Sequence, residues 1–266
     1  MTKEKISAFV ITKNEENKIE RCLQHLVWVD ELIVVDSYIT DRTEPIVKKY
    51  TKKIFKKEFQ GYGQQKQYAI EKCSNQWILE VDADEIVTAE LKQEIEKLLE
   101  KKEELNQYVA YCVKRQEYFL KKPLMRTKIV RLYKKDAVHY ENEIHESLIV
   151  KGTKGMLKNM LEHEADKYDS IAKRVEKNNE YTKREAAMRL KKREWNVYQV
   201  LWRMIVMPLI YGFWLGVGKG LFLKGKRGLI WCILTIHYHF LVYAKMYESI
   251  YKSKTAPEEQ NEKAQD

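Results

Sequence analysis

The sequence predicts an α/β fold in which a mostly parallel sheet is followed by an antiparallel extension and then by a helical C-terminal region. The first observation is an alternation, over residues 1–104, of short apolar runs with stretches whose apolar residues recur at helical spacing. Such alternation is typical of βαβ units joined by right-handed crossovers. The second observation is length, because 266 residues suffice for one large domain or for a medium domain with an appendage.

Four apolar runs are the predicted strands of the parallel part, and the stretches between them are the predicted helices. After a predicted acidic helix over 88–104, the pattern changes to β-rich segments, which indicates an antiparallel extension packed on the parallel sheet. The predicted parallel strands cover 6–12, 31–36, 52–58 and 76–82, and the β-rich segments cover 106–120, 127–135 and 146–152.

The remainder of the chain is predicted to be helical, with a charged, solvated helix over 167–194 and a segment rich in Trp, Tyr, Leu and Ile over 195–250. The apolar run 204–217 is shorter than the roughly 20 residues that a membrane-spanning helix needs. It fits either an interfacial helix in a headgroup layer or a helix that covers a core or a subunit interface, and the sequence leaves both open. The polar segment 253–266 is predicted to be disordered.

The chain carries 49 Lys and Arg against 39 Asp and Glu, a formal net charge of +10. This excess favours an anionic partner, and charge alone leaves open nucleic acid, a membrane surface or a phosphorylated ligand. The aromatic and basic signature of single-stranded RNA readers is missing, so nucleic acid is not an expected partner. Four widely spaced cysteines without a CxxC pair predict neither a zinc knuckle nor a disulfide framework, and they fit a cytoplasmic protein.

Carboxylates follow two of the predicted parallel strands at the point where each strand ends. Asp36 closes the second strand, and Asp82 and Asp84 follow the fourth, while the first strand ends in a polar run that includes Thr12 and Glu15. Because the carboxyl ends of parallel strands meet at one edge of a sheet, these groups are expected to converge there. Two carboxylates spaced two residues apart suit Mg²⁺ or Mn²⁺ shared with a diphosphate.

Three segments carry a resemblance to a known family. They read ISAFVITKNEENKIERCLQHLVWVDELIVVDSYITDRT over 6–43, GYGQQKQYAIEKCSNQWILEVDADE over 61–85 and IVRLYKKDAVHYENEIHESL over 129–148. With these motifs the chain resembles family 2 glycosyltransferases of the GT-A fold, in particular bacterial lipopolysaccharide-core glucosyltransferases and related surface-glycan transferases. The likeness is dense over the first 165 residues and looser in the helical tail, and nothing in it fixes the sugar.

The resemblance implies a domain organisation. A GT-A catalytic domain is expected over 1–165, with a nucleotide-sugar-binding half over 1–104 and an acceptor-side half over 105–165. The helical region 166–252 is expected either to contact a membrane peripherally, through 195–250, or to form a homo-oligomer.

The resemblance also implies roles for single residues in a donor site. Thr12 and Glu15 line the nucleotide pocket, and Asp36 hydrogen-bonds the uracil edge. Asp82 contacts the ribose, and Asp84 ligates the divalent cation, Mg²⁺ or Mn²⁺, that bridges the two phosphates.

Four further positions match residues that hold the donor or the metal in the family. Gln65 and Lys66 form a Gln-Lys pair that holds the donor, where a lysine is apt as a point charge near phosphates. Arg131 is implied to act in the same way. His163 is a candidate third metal ligand, and a capping or core-edge role is an equal alternative.

An inverting transfer needs a base that takes the proton from the acceptor hydroxyl as its oxygen attacks the anomeric carbon. Glu146 matches the family position expected to act as that base, and the adjacent His145 is expected to orient it or to contact the acceptor. The implied function is a metal-dependent inverting glycosyltransferase that moves a sugar from a nucleotide-sugar, UDP-linked, to a bacterial surface glycan or glycolipid. The alternatives are a non-catalytic, membrane-attached assembly protein of the same fold and, from net charge alone, a basic nucleic-acid binder.

The turn after Asp36 departs from the family pattern Asp-Ser-Gly-Ser-Thr-Asp, because Tyr38 and Ile39 replace Gly and Ser. Glycine at such a turn permits a positive φ, which a β-branched residue adopts poorly. The sequence therefore predicts either a rebuilt turn or backbone strain stored at Ile39.

Overall fold

The computed structural model describes residues 3–141, 147–163 and 170–262. It divides into two compact units, residues 1–168 and residues 169–266. The α/β fold predicted from the sequence, a mostly parallel sheet with an antiparallel extension followed by a helical region, is confirmed.

The first unit is built on a sheet of eight strands in the order β3-β2-β1-β4-β7-β6-β10-β5. The first four strands along the chain are parallel, and their crossovers contain the three expected helices. The elements are β1 (Ile6–Thr12), α1 (Ile19–Gln24), β2 (Glu31–Asp36), α2 (Thr43–Val47), β3 (Ile54–Lys56), α3 (Tyr62–Lys72) and β4 (Trp77–Glu80).

The second half of this unit supplies the antiparallel part. β7 pairs antiparallel with both β4 and β6, β10 pairs parallel with β6, and β5 closes the edge antiparallel to β10. The pair β8 and β9 forms a separate two-stranded sheet, and the pattern did not predict β5 or β10. The elements are β5 (Glu85–Val87), α4 (Ala89–Glu100), α5 (Lys102–Leu105), β6 (Ala110–Phe119), β7 (Lys122–Lys134), a 3₁₀ turn (Lys135–Ala137), β8 (Val138–Glu141), β9 (Ser147–Val150) and β10 (Lys154–His163).

The parallel strands β1, β2 and β4 are largely apolar because both of their faces are covered, and their polar residues lie at or next to the strand ends. In β1, Ala8 and Val10 pack in one core cluster and Phe9 in a second one, which also contains Ile33 and Ile78. Successive side chains of a strand point to opposite faces, so β1 contributes to both cores in turn. This two-sided burial leaves only the strand ends for polar groups.

The pairing register decides which polar groups become neighbours. Thr12 at the end of β1 lies opposite Asp36 at the end of β2. On the other side of β1, Glu80 ends β4, and β7 runs beside β4 with Leu132 opposite Leu79. Arg131, one residue before Leu132 on β7, is thereby brought next to the end of β4.

The second unit consists of helices α6 (Ile171–Lys192), α7 (Val197–Phe213) and α8 (Lys226–Glu262), with a π turn (Trp214–Gly218) and a 3₁₀ turn (Leu221–Lys224) between the last two. The three helices share a core that includes Ala186, Val200 and Tyr243. α8 reaches Glu262, whereas the sequence predicted a disordered segment from residue 253.

The apolar segment predicted over 204–217 is longer in the structure. Val197–Gly218 and Lys226–Ser253, with mean hydropathies of 1.6 and 1.3, are both long and apolar enough to cross a membrane by length and composition alone. The sequence pattern took Arg203 as the boundary of the first run, but the helix continues through it. A charged residue bounds an apolar run without ending a helix, since Arg is a good helix former. The guanidinium of Arg203 lies over the ring of Trp195, 5.3 Å from its centroid.

Glu31 lies at the start of β2, at the end of the sheet opposite to Asp36, and connects several segments there. Its buried carboxylate accepts hydrogen bonds from the hydroxyl of Ser7 on β1, from the backbone N–H of Ser74 at 2.7 Å and from Lys53 Nζ. Burial by itself would raise the pKa of Glu31, but these hydrogen bonds lower it to about 2.

We expect Glu31→Gln to destabilise the protein at neutral pH by about 1–3 kcal/mol, because the network loses its negative charge and one of its two acceptor oxygens. A depressed pKa in the folded state gives stability that is present above the unfolded pKa and is lost as pH falls towards 2. Urea denaturation of both proteins should show the difference shrinking below roughly pH 4. Glu20→Gln, at an exposed ion pair with Lys49, is the control and should change little; an equal loss in both variants would contradict the prediction.

Candidate active site

The acidic turn between β4 and β5 carries Asp82 and Asp84. The turn is closed by the Glu85 N–H, which donates to the Asp82 carbonyl at 2.9 Å, and by the Asp82 N–H, which donates to Glu85 Oε2 at 3.1 Å. The short spacing between β4 and β5 thus places three carboxylates, those of Asp82, Asp84 and Glu85, at the end of the parallel sheet.

A buried guanidinium holds this turn from the β7 side. Arg131, 2% exposed, donates from Nη1 to Glu80 Oε1 at 2.6 Å and from Nη2 to Glu85 Oε1 at 2.7 Å. Nη2 also donates to Asp82 Oδ2. Burial would lower the pKa of Arg131, but the three carboxylates raise it well above its usual value. Arg131 is therefore a permanent buried cation.

Lys66 on α3 is the second buried cation of this cluster. Its Nζ lies 3.0 Å from Glu80 Oε1 and 3.3 Å from Asp82 Oδ1. Burial would raise the pKa of Asp82, but the positive charges of Arg131 and Lys66 lower it below its usual range. Burial raises the pKa of Glu85, an effect that the nearby Arg131 does not overcome. The two neighbouring acids thus differ in basicity because their surroundings differ.

Two tyrosine hydroxyls complete the environment of Glu80. Tyr133 and Tyr140 each donate to Glu80 Oε2 at 2.7 Å, so this buried carboxylate is fully engaged. Burial, followed by the adjacent charge of Glu80, raises the pKa of both tyrosines. Glu80 was missed by the sequence prediction, although an acid inside the apolar run WILEV signals a buried charge that must be paired.

Asp84 faces His163, at the end of β10. The distance from Asp84 Oδ1 to His163 Nε2 is 3.6 Å, and His163 Nδ1 lies 2.6 Å from Glu117 Oε2 on β6. Burial would lower the pKa of His163, but its contacts with Asp84 and Glu117 raise it to about 10. The sequence carried no signal for Glu117, because its approach to His163 depends on the pairing of β10 with β6.

A carboxylate such as that of Asp84 is a ligand that Mg²⁺ and Mn²⁺ favour, whereas the imidazole of His163 can ligate a metal only after it loses the proton that Asp84 and Glu117 stabilise on it. Residues 3–141, 147–163 and 170–262 contain no group of three or more His, Cys, Asp or Glu arranged to hold a metal. Within those residues, Asp84 and His163 are therefore at most two of the ligands that a cation would need.

Unpartnered polar atoms lie at the ends of β1 and β2. Asp36 is fully buried, and its Oδ1 accepts from the Ile39 N–H at 2.7 Å. Within the described part of the chain, its Oδ2 has no hydrogen-bond partner, and neither do Thr12 Oγ1 and Gln65 Oε1. Gln65 Nε2 donates to Ser37 Oγ at 2.6 Å. Buried polar atoms are nearly always paired, so this group of orphaned acceptors marks a place where a ligand's donors would bind.

Of the two alternatives for the turn after Asp36, strain at Ile39 is not observed; the left-handed residue is Tyr38, at the glycine position of the family pattern. Tyr38 has a φ of +58°, and Asn14, in the loop after β1, has a φ of +56°. The Asn14 side chain fixes both loops, because its Oδ1 accepts from the Thr40 N–H at 2.9 Å. The hydrogen bond from the Ile39 N–H to Asp36 pulls the backbone into this shape and places the left-handed residue at Tyr38. The Tyr38 side chain is 58% exposed.

The predicted site residues are thus distributed unevenly. The structure brings together Lys66, Asp82 and Arg131, and it brings Asp84 to His163. Glu15 is half-buried, its N–H donates to Thr43 Oγ1 at 2.9 Å, and its carboxylate pairs with Lys18. The predicted base Glu146 and its neighbour His145 lie outside the described residues.

With this geometry in place, comparison with known proteins decides the family. The model of "Glycosyl transferase family 2" matches residues 7–204, about three quarters of the chain. The chain belongs to glycosyl transferase family 2. The resemblance drawn from the sequence motifs, and the GT-A fold it implied, are confirmed.

Curated relatives agree with family 2. An uncharacterized glycosyltransferase of Rickettsia conorii is 38% identical over 159 residues, which cover 55% of this chain and 55% of that protein. The chain thus spans about half the length of that relative. A lipopolysaccharide core biosynthesis glycosyltransferase, LpsC of Rhizobium meliloti, is 27% identical over 91% of this chain and 92% of that protein. Among solved structures, the match to residues 1–349 of S. aureus TarS covers 94% of this chain and 92% of the TarS chain, with 16% identity and a TM-score of 0.45.

We expect Arg131→Met to destabilise this family 2 protein by about 3–5 kcal/mol, because Glu80, Asp82 and Glu85 lose the cation that compensates their buried charges. The matched control is Arg42→Met, since the Arg42 side chain is 87% exposed and pairs with Glu16 at 3.4 Å, its one ion pair among the described residues. The control should cost less than about 1 kcal/mol. Urea denaturation measures both, and similar midpoints for the two variants would remove Arg131 as the organising charge.

Proposed function

We propose that this protein is a metal-dependent, inverting glycosyltransferase that moves a sugar from a UDP-linked donor to a hydroxyl of a bacterial surface glycan or glycolipid. The observation that carries the proposal is that two groups of polar atoms lie at one end of the sheet. The orphaned acceptors of Asp36 and Thr12 lie on neighbouring strands, and Asp84, which follows β4, faces His163 at the end of β10. A nucleoside end and a diphosphate end would each meet suitable groups there.

The nucleoside would be recognised by Asp36. Its Oδ2 is a buried carboxylate oxygen without a partner among the described residues, so an imide N–H of uracil would satisfy it. Asp82 would accept from the ribose. The fixed position of its carboxylate between Arg131 and Lys66 supports that role, because a preorganised acceptor loses little entropy when it binds.

The diphosphate would lie near Asp84 and His163, which would hold the divalent cation. When bound, the cation would neutralise the charge that develops on the departing diphosphate. Lys66 and Arg131 are already paired with protein carboxylates, so we assign them the task of fixing Glu80 and Asp82.

The transfer would be a single displacement. The acceptor oxygen forms a bond to the anomeric carbon as the bond from that carbon to the diphosphate oxygen breaks, and attack from the opposite face inverts the configuration. Glu146 would take the acceptor's proton and His145 would orient it, an assignment that rests on the match of EIHESL to the family motif.

The acceptor class rests on LpsC, whose name assigns it to lipopolysaccharide core biosynthesis and which aligns over nearly the whole of both chains. We therefore propose a glycolipid acceptor such as lipopolysaccharide core, and a reaction in the cytoplasm at the inner face of the membrane. The four cysteines are free thiols, which agrees with a reducing compartment.

Stabilisation of the protein by UDP should depend on a divalent cation. We expect UDP, with Mn²⁺ present, to raise the melting temperature of the protein, since a ligand at a hundred times its Kd stabilises by about 2.7 kcal/mol. Asp84→Asn should lose most of the shift seen with Mn²⁺ while keeping its own fold, and Glu90→Gln, an exposed acid at the start of α4, is the control. A full panel of nucleotides and nucleotide sugars without any shift, in Mg²⁺ or Mn²⁺, would falsify the proposed activity.

Glu146→Gln separates chemistry from binding. The amide keeps the shape of the side chain but cannot accept the proton, so we expect UDP affinity within about twofold of wild type and transfer reduced by at least about a hundredfold. Calorimetry measures the first quantity and release of UDP with an acceptor the second. Normal turnover in this variant would exclude Glu146 as the base, and donor binding without any turnover in the wild type would favour the assembly-protein alternative.

A further inference from the structure

Helix α7 presents an apolar face to solvent. Tyr198, Trp202, Ile205, Leu209 and Phe213 follow one another at intervals of three or four residues, which places them on one side of the helix. Their exposed fractions are 80%, 59%, 67%, 59% and 68%. We name these five residues the α7 stripe. Soluble proteins rarely leave so continuous an apolar surface uncovered.

The turn between α7 and α8 adds positive charge and further apolar groups. Leu223 is 91% exposed and Phe222 48% exposed at this point. The cations of this basic tip are Lys219, Lys224, Lys226 and Arg227. Between residues 195 and 247 the chain has six Lys or Arg and no Asp or Glu. The complementary surface is therefore apolar and anionic.

A bilayer containing anionic lipids has this combination of properties. Trp and Tyr prefer the boundary between headgroups and acyl chains, and Lys and Arg reach the phosphates. Trp214 beside the tip has Lys219 Nζ 4.9 Å from its ring centroid, so an aromatic ring and a cation lie together where such a boundary would fall.

The helix α8 is long enough to span a membrane, but its contacts argue against that arrangement. Tyr238 donates to Glu185 Oε2 at 2.6 Å, and Arg189 Nη1 donates to the Tyr243 hydroxyl at 2.6 Å. Glu185 and Arg189 belong to α6, in which half of the residues are charged. If α8 crossed the bilayer, α6 would carry these charges into the hydrocarbon, at a large cost for each.

We propose that the α7 stripe and the basic tip dock on an anionic lipid bilayer, with α7 lying in the plane of the headgroup layer rather than crossing it. This inference goes beyond the proposed transfer reaction and does not depend on it. An enzyme held in this way would remain next to a lipid-linked acceptor.

The test is flotation of the full chain with vesicles of phosphatidylcholine alone and with vesicles that also contain phosphatidylglycerol. We expect binding to the second kind, weakened by salt because exposed charges are screened. Ile205→Glu combined with Phe213→Glu should lower the fraction bound to anionic vesicles at least about tenfold. Replacement of the four cations of the basic tip by Gln should lower it to a similar degree, and this effect should be confined to anionic vesicles. The control, Val27→Glu, changes an exposed apolar residue outside this region and should bind as wild type does.

Each other outcome would overturn the proposal in a distinct way. Failure of the full chain to float with anionic vesicles would remove the lipid surface. A dimer in solution that the Ile205 and Phe213 substitutions convert to monomer, without vesicle binding, would show that a second copy of the chain covers the stripe. Resistance to extraction at alkaline pH would show a spanning helix. Circular dichroism and UDP binding of each variant establish that the fold persists, and a UDP-binding failure of the wild type would bear on the proposed reaction alone.

Discussion

The arrangement of this site depends on one buried guanidinium. Arg131 lies between Glu80, Asp82 and Glu85, and no other described cation contacts all three. Removing charges from water is costly, and a buried ion pair is weak evidence for stability by itself. What the guanidinium provides is geometry, because its planar fork fixes the end of β4, the acidic turn and the start of β5 relative to one another.

From this centre a connected series of opposite charges runs across the sheet edge. Arg115 continues it, since its Nη1 lies 3.2 Å from Glu85 and its Nε 2.7 Å from Glu117. The two acids of one motif have different surroundings in this series: Asp82 is paired with Lys66 and Arg131, whereas Asp84 faces the imidazole of His163. In order, its members are Lys66, Glu80, Arg131, Glu85, Arg115, Glu117, His163 and Asp84.

Strain and orphaned polar atoms mark the other end of the same edge. Two non-glycine residues in left-handed conformation, Asn14 and Tyr38, follow β1 and β2, next to the unpartnered oxygens of Thr12 and Asp36. Such backbone states persist only where surrounding contacts fix them, and they concentrate at ligand sites. Helix α7 contrasts with this polar edge, since its exposed side chains include Tyr198, Trp202, Ile205, Leu209 and Phe213.

The sequence by itself determined the parallel half of the fold and the acids at its strand ends. Strands that are buried on both faces appear as short apolar runs, and such runs are visible without knowledge of which strands pair. Asp36, Asp82 and Asp84 were placed in this way, and the motifs around them indicated the family. Only the tertiary structure decided which groups pair with the buried Glu80 and that Glu117 lies beside His163. The strand order β4-β7-β6-β10-β5 brings these groups together through pairings between distant segments, which no local periodicity specifies.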